Sequence, residues 1–141
     1  MTINEYQTAA LRTAQTDKLS ASDLLINSAL GLCGESGEVA DLVKKHRFQG
    51  HDLDFEHIAK ELGDIAWYLA VGAYSIGYDL EKIMQMNVDK LKARYPNGFS
   101  TDRSLHRAEN DVGGGEHGQH SNTHRAPFRW QLHCYRQRQK L

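Results

Sequence analysis

The feature that most restricts the fold of this chain is the distribution of its prolines. The sequence has 141 residues and only two prolines, Pro96 and Pro127, so no proline interrupts residues 1–95. Proline inside a helix removes a backbone hydrogen bond and clashes with the preceding turn, so long helices are permitted here. Apolar residues recur at helical spacing through the same region, and no segment alternates as a strand does. The sequence therefore predicts an all-α fold.

Capping residues and glycines divide this region into about four helices. Thr2 and Glu5 have the spacing of a capping box, and Asp54 and Asp79 are expected to cap the third and fourth helices. Gly77 is expected to end the third helix. The predicted helices cover, in order, residues 3–16, 21–48, 55–77 and 80–95. Because short loops join them, we expect an antiparallel helical bundle.

Composition changes near residue 100. Residues 1–100 carry 10 basic and 14 acidic residues, a net charge of −4, whereas residues 101–141 carry 7 and 4, a net charge of +3. We therefore predict a helical domain over residues 1–100 and a low-complexity or appended tail over 101–141. Within the tail, residues 112–122 have the composition of a disordered segment. The aromatic segment 128–135 either forms a short docking helix or stays unfolded. Histidine-rich composition of this kind is weak evidence for a metal site.

The composition also disfavours several classes of protein. No apolar run approaches the roughly 20 residues of a transmembrane helix, and the N-terminus lacks a basic segment followed by an apolar one. Cys33 and Cys134 lie far apart and do not form a ligand-type pair. We expect a cytoplasmic protein without membrane contact. A net charge of only +3 in the tail makes nucleic acid an improbable partner.

Two acidic pairs are the strongest candidates for a functional site. Glu35 and Glu38 are three residues apart on the second predicted helix, and Glu61 and Asp64 are three apart on the third. The two carboxylates of each pair therefore project from the same face of their helix, on or beside its apolar stripe. A carboxylate there costs several kcal/mol unless a cation meets it. The simplest common partner of four such acids is a divalent metal with oxygen ligands.

Three glycines surround the first acidic pair. Gly31, Gly34 and Gly37 repeat every three residues, and each costs about 1 kcal/mol relative to alanine inside a helix. Two reasons for them stay open: close approach of another helix, or room for a ligand beside the carboxylates.

The fourth predicted helix carries polar and basic residues of the opposite character. Asn87, Lys90 and Arg94 share one face, and Lys44 follows the acids on the second helix. An amide, an ammonium and a guanidinium together suit a polyphosphate. Acids that hold metal beside cations that hold phosphate favour metal-assisted phosphoryl chemistry. Mg²⁺ fits best because the ligands are oxygens, and Mn²⁺ is a possible substitute.

Simpler interpretations exist for each of these features. One acidic pair on a helix is usually a solvated face, and Lys90 and Arg94 would ordinarily be surface residues. A di-iron bundle requires Glu-x-x-His on two helices, and the sequence has no such motif. A non-catalytic helical module that binds nucleotide or a protein partner remains the alternative to an enzyme.

The order of these motifs resembles the MazG-like nucleoside triphosphate pyrophosphohydrolases over about residues 1–100. The resemblance rests on Glu35-x-x-Glu38, then Glu61-x-x-Asp64, then Asn87-x-x-Lys90-x-x-x-Arg94-x-Pro96. The opening residues Asn4 to Gln7 and Ala10 to Thr13 are also similar to the start of that family.

The resemblance implies an all-α fold in which Glu35, Glu38, Glu61 and Asp64 bind Mg²⁺. It implies hydrolysis of a nucleoside triphosphate to the monophosphate and pyrophosphate, with Glu35 or Glu38 as the base that activates water. Asn87, Lys90 and Arg94 would then contact the phosphates, and from its position on the second helix we expect Lys44 to join them. It also implies a homo-oligomer, a dimer or tetramer, and a role in clearing nucleotides. We expect the base pocket between the first and third helices, near Gln7, Gln15 or Trp67.

Overall fold

The computed structural model describes residues 1–106, which are all-helical apart from loops and turns. This confirms the predicted fold class, with five helices instead of four. They are α1 (Ile3–Leu11), α2 (Ala21–Gln49), α3 (Phe55–Ser75), α4 (Leu80–Arg94) and α5 (Thr101–Leu105). The predictions for segments 112–122 and 128–135 lie outside the described residues. None of the described helices combines the length and the apolar character needed to cross a membrane.

The ends of the helices follow from local chemistry. The Thr2–Glu5 capping box is present, with both reciprocal hydrogen bonds. Ser20 forms a second capping box with Asp23, and its hydrogen bonds lower the pKa of the Asp23 carboxyl. Helix α2 ends at Gly50, which has the left-handed φ of 76° that glycine adopts without strain.

The first helix is shorter than predicted. It ends at Leu11, whereas the predicted helix extended to Thr16, and residues 12–18 form turns. Gln15 has a φ of 49°, which is incompatible with a right-handed helix. The fifth helix was not predicted, and it begins where the Ser100 hydroxyl accepts a hydrogen bond from the backbone N–H of Arg103.

Helices α2 and α3 are antiparallel and closely packed. The contacts run in opposite sequence order, because Ser28 meets Gly72 and Gly31 meets Tyr68 one turn further along α2. The close approach depends on small residues on both helices. Ser28 is 1% exposed, and its hydroxyl donates to the backbone oxygen of Leu24 within α2. No polar atom of this side chain is therefore left without a partner.

The core consists of two small apolar clusters that share α3. Their buried members are Ala10, Ala70, Ala73 and Leu80 in one cluster, and Ala14, Leu24 and Val71 in the other. The Trp67 side chain packs against both. Its indole N–H lies 3.1 Å from the backbone oxygen of Ala10 and 2.9 Å from the hydroxyl oxygen of Thr13, which attaches α3 to α1 and the following turn.

A buried glutamine joins α1, α3 and the start of α4. Gln7 is 6% exposed. Its Nε2 donates to the backbone oxygens of Ala70 (3.1 Å) and Tyr78 (3.3 Å), and its Oε1 accepts from the backbone N–H of Leu80 at 2.9 Å. One side chain thus satisfies three backbone groups where the chain turns from α3 into α4.

The chain divides into two compact units, residues 1–89 and the chain from residue 90 onward. The first holds α1, α2, α3 and most of α4. In the second, Arg103 donates to the backbone oxygen of Arg94 at 3.4 Å, and the Arg94 guanidinium lies 5.9 Å from the centre of the Tyr95 ring. The predicted domain of residues 1–100 stays a prediction.

Candidate metal centre

Three of the four predicted acids converge between α2 and α3. Each of Glu35, Glu61 and Asp64 offers a carboxylate oxygen, and these oxygens all lie within 4.8 Å of one another. Oxygens on opposite sides of a bound Mg²⁺ are about 4.2 Å apart, because each bond is about 2.1 Å long. Small side-chain rotations would therefore bring all three onto one ion. We call these three residues the acidic cluster.

The electrostatics of the acidic cluster favour a cation. Glu35 and Glu61 are partly buried, and the Glu61 side chain retains 14% of its exposure. Desolvation raises the pKa of the Glu35 carboxyl, and so do its hydrogen bond with Glu61 and the negative charges of Glu61, Asp64 and Glu38. A bound cation would offset the repulsion among these carboxylates. An all-carboxylate donor set of this kind fits Mg²⁺ or Mn²⁺.

Glu38 lies at the margin of this cluster. It is exposed and does not belong to the group of three oxygens that meet within 4.8 Å. Its charge still acts on Glu35, and it adds to the raised pKa of the Lys45 ammonium, which is caused chiefly by the hydrogen bond and charge of Asp41. The structure thus separates the four predicted acids into a converging group of three and one neighbour.

Two residues beside the cluster were missed by the sequence analysis. Nε2 of His57 lies 2.9 Å from Oε1 of Glu61, one helical turn away on α3. The Tyr6 hydroxyl of α1 donates to the backbone oxygen of Gly63 at 3.4 Å. Burial, followed by the Asp64 charge, raises the pKa of the Tyr6 phenol. The four-residue spacing of His57 and Glu61 was a signal for the first contact, whereas no sequence pattern indicated the second.

The predicted phosphate contacts are distributed over two regions. Lys44 is exposed and forms an ion pair with Asp41, which also pairs with Lys45 at 2.5 Å. These two lysines lower the pKa of the Asp41 carboxyl to about 2. Asn87 is exposed on α4 in the first compact unit.

Lys90 and Arg94 belong to the second compact unit, where Lys90 is exposed and Arg94 is partly buried. Their contribution to a common site with the acids stays a prediction, as does that of Lys44 and Asn87.

The glycines of α2 have different surroundings. A Cβ atom on Gly31 would lie 2.2 Å from ring atoms of Tyr68, so close approach of α3 explains this glycine. At Gly34 and Gly37 nothing among the described residues lies within 4 Å of such an atom. These two positions leave open space beside Glu35 and Glu38, the second of the two reasons considered from the sequence.

The expected base-pocket residues have structural contacts of their own. The polar atoms of Gln7 and Trp67 bond to the backbone and to Thr13, as described above. Between α1, α3 and α4 lies an apolar pocket of about 190 Å³, lined mainly by Ile3, Tyr6, Leu69, Leu80 and Met84. Tyr6 therefore lines this pocket while its hydroxyl contacts α3 one residue before Asp64.

Comparison with known proteins gives two matches. The family model described as "MazG nucleotide pyrophosphohydrolase domain" matches residues 26–99, which include all four acids. The chain is 31% identical over 105 residues to the Gene 37 protein of Mycobacterium phage L5, covering 70% of this chain and 92% of that protein. No solved structure shows a significant match to the chain.

Proposed function

Because the chain belongs to the MazG nucleotide pyrophosphohydrolase family, we propose that it hydrolyses nucleoside or deoxynucleoside triphosphates to the monophosphate and pyrophosphate in the presence of Mg²⁺. The observation that carries the proposal is the acidic cluster, in which three carboxylates from two helices meet within 4.8 Å inside the matched region. Such a cluster reduces the stability of the metal-free protein and is explained by a bound cation.

Each of the four acids has a role in this proposal. Glu35, Glu61 and Asp64 hold the metal, with Glu38 at the edge of its shell. Bound Mg²⁺ would supply charge neutralisation on the phosphates and a lowered pKa of the attacking water. Glu38 is our preferred general base over Glu35, because it is exposed beside the cluster and outside the converging group.

Lys44, Asn87, Lys90 and Arg94 are proposed to contact the triphosphate and offset the charge that develops on it. The nucleobase is proposed to occupy the apolar pocket between α1, α3 and α4, whose volume of about 190 Å³ is sufficient for a planar ring. Mn²⁺ is expected to substitute for Mg²⁺ because it accepts the same oxygen ligands.

We also propose that the protein is a cytoplasmic homo-oligomer, a dimer or tetramer, that removes unwanted nucleotides. Large apolar side chains on α2 support the oligomer: Ile26 is 55% exposed and Leu30 is 69% exposed. A second copy that covered them would remove this apolar surface from water.

The direct test is incubation of the purified chain with a panel of nucleoside triphosphates and Mg²⁺, followed by separate assays of pyrophosphate and orthophosphate. We expect pyrophosphate and the monophosphate in equal amounts, and no release when EDTA is added. Orthophosphate alone, or no turnover of any nucleotide, would refute the proposal. Thermal stabilisation by Mg²⁺ and nucleotide without any product would instead identify a binding module.

A substitution at Glu38 tests the assignment of the base. Glu38→Gln is expected to abolish pyrophosphate release while Mn²⁺ affinity, measured by calorimetry without nucleotide, stays close to that of the wild type. The exposed Glu56→Gln serves as the control, because Glu56 pairs with Lys60 on α3 and does not belong to the acidic cluster. Loss of Mn²⁺ affinity in Glu38→Gln would make Glu38 a ligand, and full activity would exclude it from the site.

A further inference from the structure

The Tyr68 side chain approaches the backbone of Gly31 very closely, more closely than any neighbour approaches Gly34, Gly37, Gly63 or Gly72. A Cβ atom on Gly31 would lie 2.2 Å from Cε1 and Cζ of Tyr68 and 2.5 Å from Cδ1. Ordinary van der Waals contact begins near 3.4 Å. The Tyr68 ring therefore lies directly against the backbone of α2, in space that any other residue at position 31 would fill.

This contact lies one helical turn from the acidic cluster on both helices. Gly31 precedes Glu35 by four residues on α2, and Tyr68 follows Asp64 by four residues on α3. One turn of a helix rises about 5.4 Å, so the Tyr68 ring separates the two helices at a point adjacent to the carboxylates.

The position of the Tyr68 ring matters because the carboxylates of the acidic cluster come from both helices. Glu35 belongs to α2, whereas Glu61 and Asp64 belong to α3, so the separation of α2 and α3 sets the distance between their oxygens. Functional constellations require placement within about 0.5 Å. The clash at Gly31 is relieved either by rotation of the Tyr68 ring or by separation of the helices, and separation would require a movement of about 1 Å, which exceeds that tolerance.

A second close contact lies on the same helix pair but away from the acids. A Cβ atom on Gly72 would lie 3.3 Å from the Ser28 Cβ, and Gly72 is two turns beyond Asp64 on α3. The two glycines therefore provide a matched pair: both lie between α2 and α3, and only Gly31 lies next to the acidic cluster.

We propose that Gly31 is a positioning residue for the acidic cluster: it seats the Tyr68 ring on α2 and so sets the α2–α3 separation at which Glu35 meets Glu61 and Asp64 around a divalent cation. The inference rests on the proposed function only in that the cation is the proposed Mg²⁺. Gly31 itself contacts neither metal nor substrate.

The experiment measures metal affinity of the full chain without nucleotide, by calorimetric titration with Mg²⁺ and separately with Ca²⁺. Gly31→Ala is expected to raise the Kd for Mg²⁺ about tenfold or more, as changes around a metal's ligands do. The Kd for Ca²⁺ should rise less, because Ca²⁺ accepts longer bonds and irregular geometry whereas Mg²⁺ demands a near-ideal octahedron. General loosening of the fold would not change the preference between the two ions.

Variants of Tyr68 identify the cause. Gly31→Ala combined with Tyr68→Leu removes the ring and should bind Mg²⁺ as tightly as Tyr68→Leu alone. Gly31→Ala combined with Tyr68→Phe keeps the ring atoms that clash and should stay weak. Gly72→Ala controls for disturbance of the helix pair elsewhere, and its Kd for Mg²⁺ should equal that of the wild type.

Unchanged Mg²⁺ affinity in folded Gly31→Ala would overturn the inference, because the ring would then have moved without a change in helix separation. If Gly31→Ala does not fold, the Gly31→Ala, Tyr68→Leu variant decides: weaker Mg²⁺ binding than in Tyr68→Leu refutes the inference, and equal binding supports it. Pyrophosphate release is measured separately. A wild-type protein that binds Mg²⁺ without releasing pyrophosphate refutes the proposed function alone, whereas one that binds no metal refutes both.

Discussion

The two halves of the α2–α3 helix pair have opposite chemistry. In the half that contains Ser28, Val71 and Gly72, the side chains are small or apolar, and Ser28 and Val71 are almost completely buried. In the other half, Glu35 and Glu61 are partly buried among like charges. The first half contributes to folding stability, whereas the like charges of the second half oppose it. Stability and chemistry are therefore separated along a single helix pair.

A comparison within α2 explains why the cluster behaves as it does. The carboxyl groups of Glu35 and Asp41 lie six residues apart on one helix, yet their pKa values shift in opposite directions. Asp41 has Lys44 and Lys45 as partners, and its pKa falls to about 2. Glu35 has other acids as neighbours and is partly desolvated, so its pKa rises. Asp41 is stabilised by lysines of its own helix, whereas partial desolvation and the neighbouring acids, two of them on α3, raise the pKa of Glu35.

Among the variants that compare the two halves, the largest expected effect is at Asp64. Asp64→Asn is expected to lower kcat/KM for nucleotide hydrolysis by about 100-fold or more, as loss of a group that stabilises developing charge does. The free energy of unfolding without metal should stay equal or rise, because one of the charges that repel Glu35 is removed. Both quantities are measured on the same preparation, by pyrophosphate release and by urea unfolding in EDTA.

Asp89→Asn is the matched control for this variant, since Asp89 is exposed on α4 and accepts a hydrogen bond only from Gln85 among the described residues. A strongly destabilised Asp64→Asn with normal activity would reverse the assignment of stability and chemistry to the two halves.

The second-largest expected effect is a loss of folding stability when the buried side chain of Gln7 is removed. Gln7→Ala leaves the Leu80 N–H and two backbone oxygens without their side-chain partner. We expect a loss of about 2–3 kcal/mol in the free energy of unfolding, because unsatisfied buried groups are costly. The Kd for Mg²⁺ should not change, since Gln7 does not touch the acidic cluster.

Gln85→Ala provides the comparison for Gln7→Ala, because this exposed side chain makes one hydrogen bond, to Asp89, and its removal should cost less than about 0.5 kcal/mol. Equal losses in the two variants would show that the buried contacts of Gln7 contribute nothing special.

The smallest effect is a dependence on pH at Glu35. Because the folded state raises the pKa of this carboxyl above its ordinary value of 4.5, the folded protein binds more protons than the unfolded chain in that window. Stability without metal should therefore fall as pH rises from 4.5 through the raised pKa. The Asp41 carboxyl contributes little to the pH dependence of stability above pH 4.5, since it titrates below about pH 4 in both the folded and the unfolded state.

Urea unfolding in EDTA between pH 4.5 and 7 measures this dependence. Glu35→Gln should lose less stability than the wild type over that range. Saturating Mg²⁺ should restore the stability that the wild type loses between pH 4.5 and pH 7. Parallel curves for the two proteins would mean that Glu35 titrates normally in the fold.

Much of the helical architecture was predictable because its signals are local. The Thr2 and Asp54 caps lie where capping chemistry placed them, and α2 begins at the predicted residue 21. The end of α1 was predicted too late, because nothing in the composition around Gln15 reveals its left-handed backbone. Helix α5 is too short to show a periodic pattern, and its Ser100 cap is a weak signal alone.

The candidate site was only partly predictable. The four acids were named from their spacing, but the sequence treated them as equivalent, whereas the structure brings Glu35 together with Glu61 and Asp64 and leaves Glu38 beside them. The contact of Tyr6 with α3 joins residues 57 positions apart, and no local pattern encodes such a contact. The use of Gln7 as a structural amide was missed for the same reason.

The sequence by itself determined most of the helices and the acidic pairs, because each depends on residues within a few turns of one another. It also determined the family resemblance, which depends on the order and spacing of motifs along the chain. Only the tertiary structure decided which carboxylates meet and which glycine admits a neighbouring ring. Those outcomes depend on how far apart α2 and α3 lie and in which register they face each other. Many side chains set that separation together, and helical periodicity alone does not specify it.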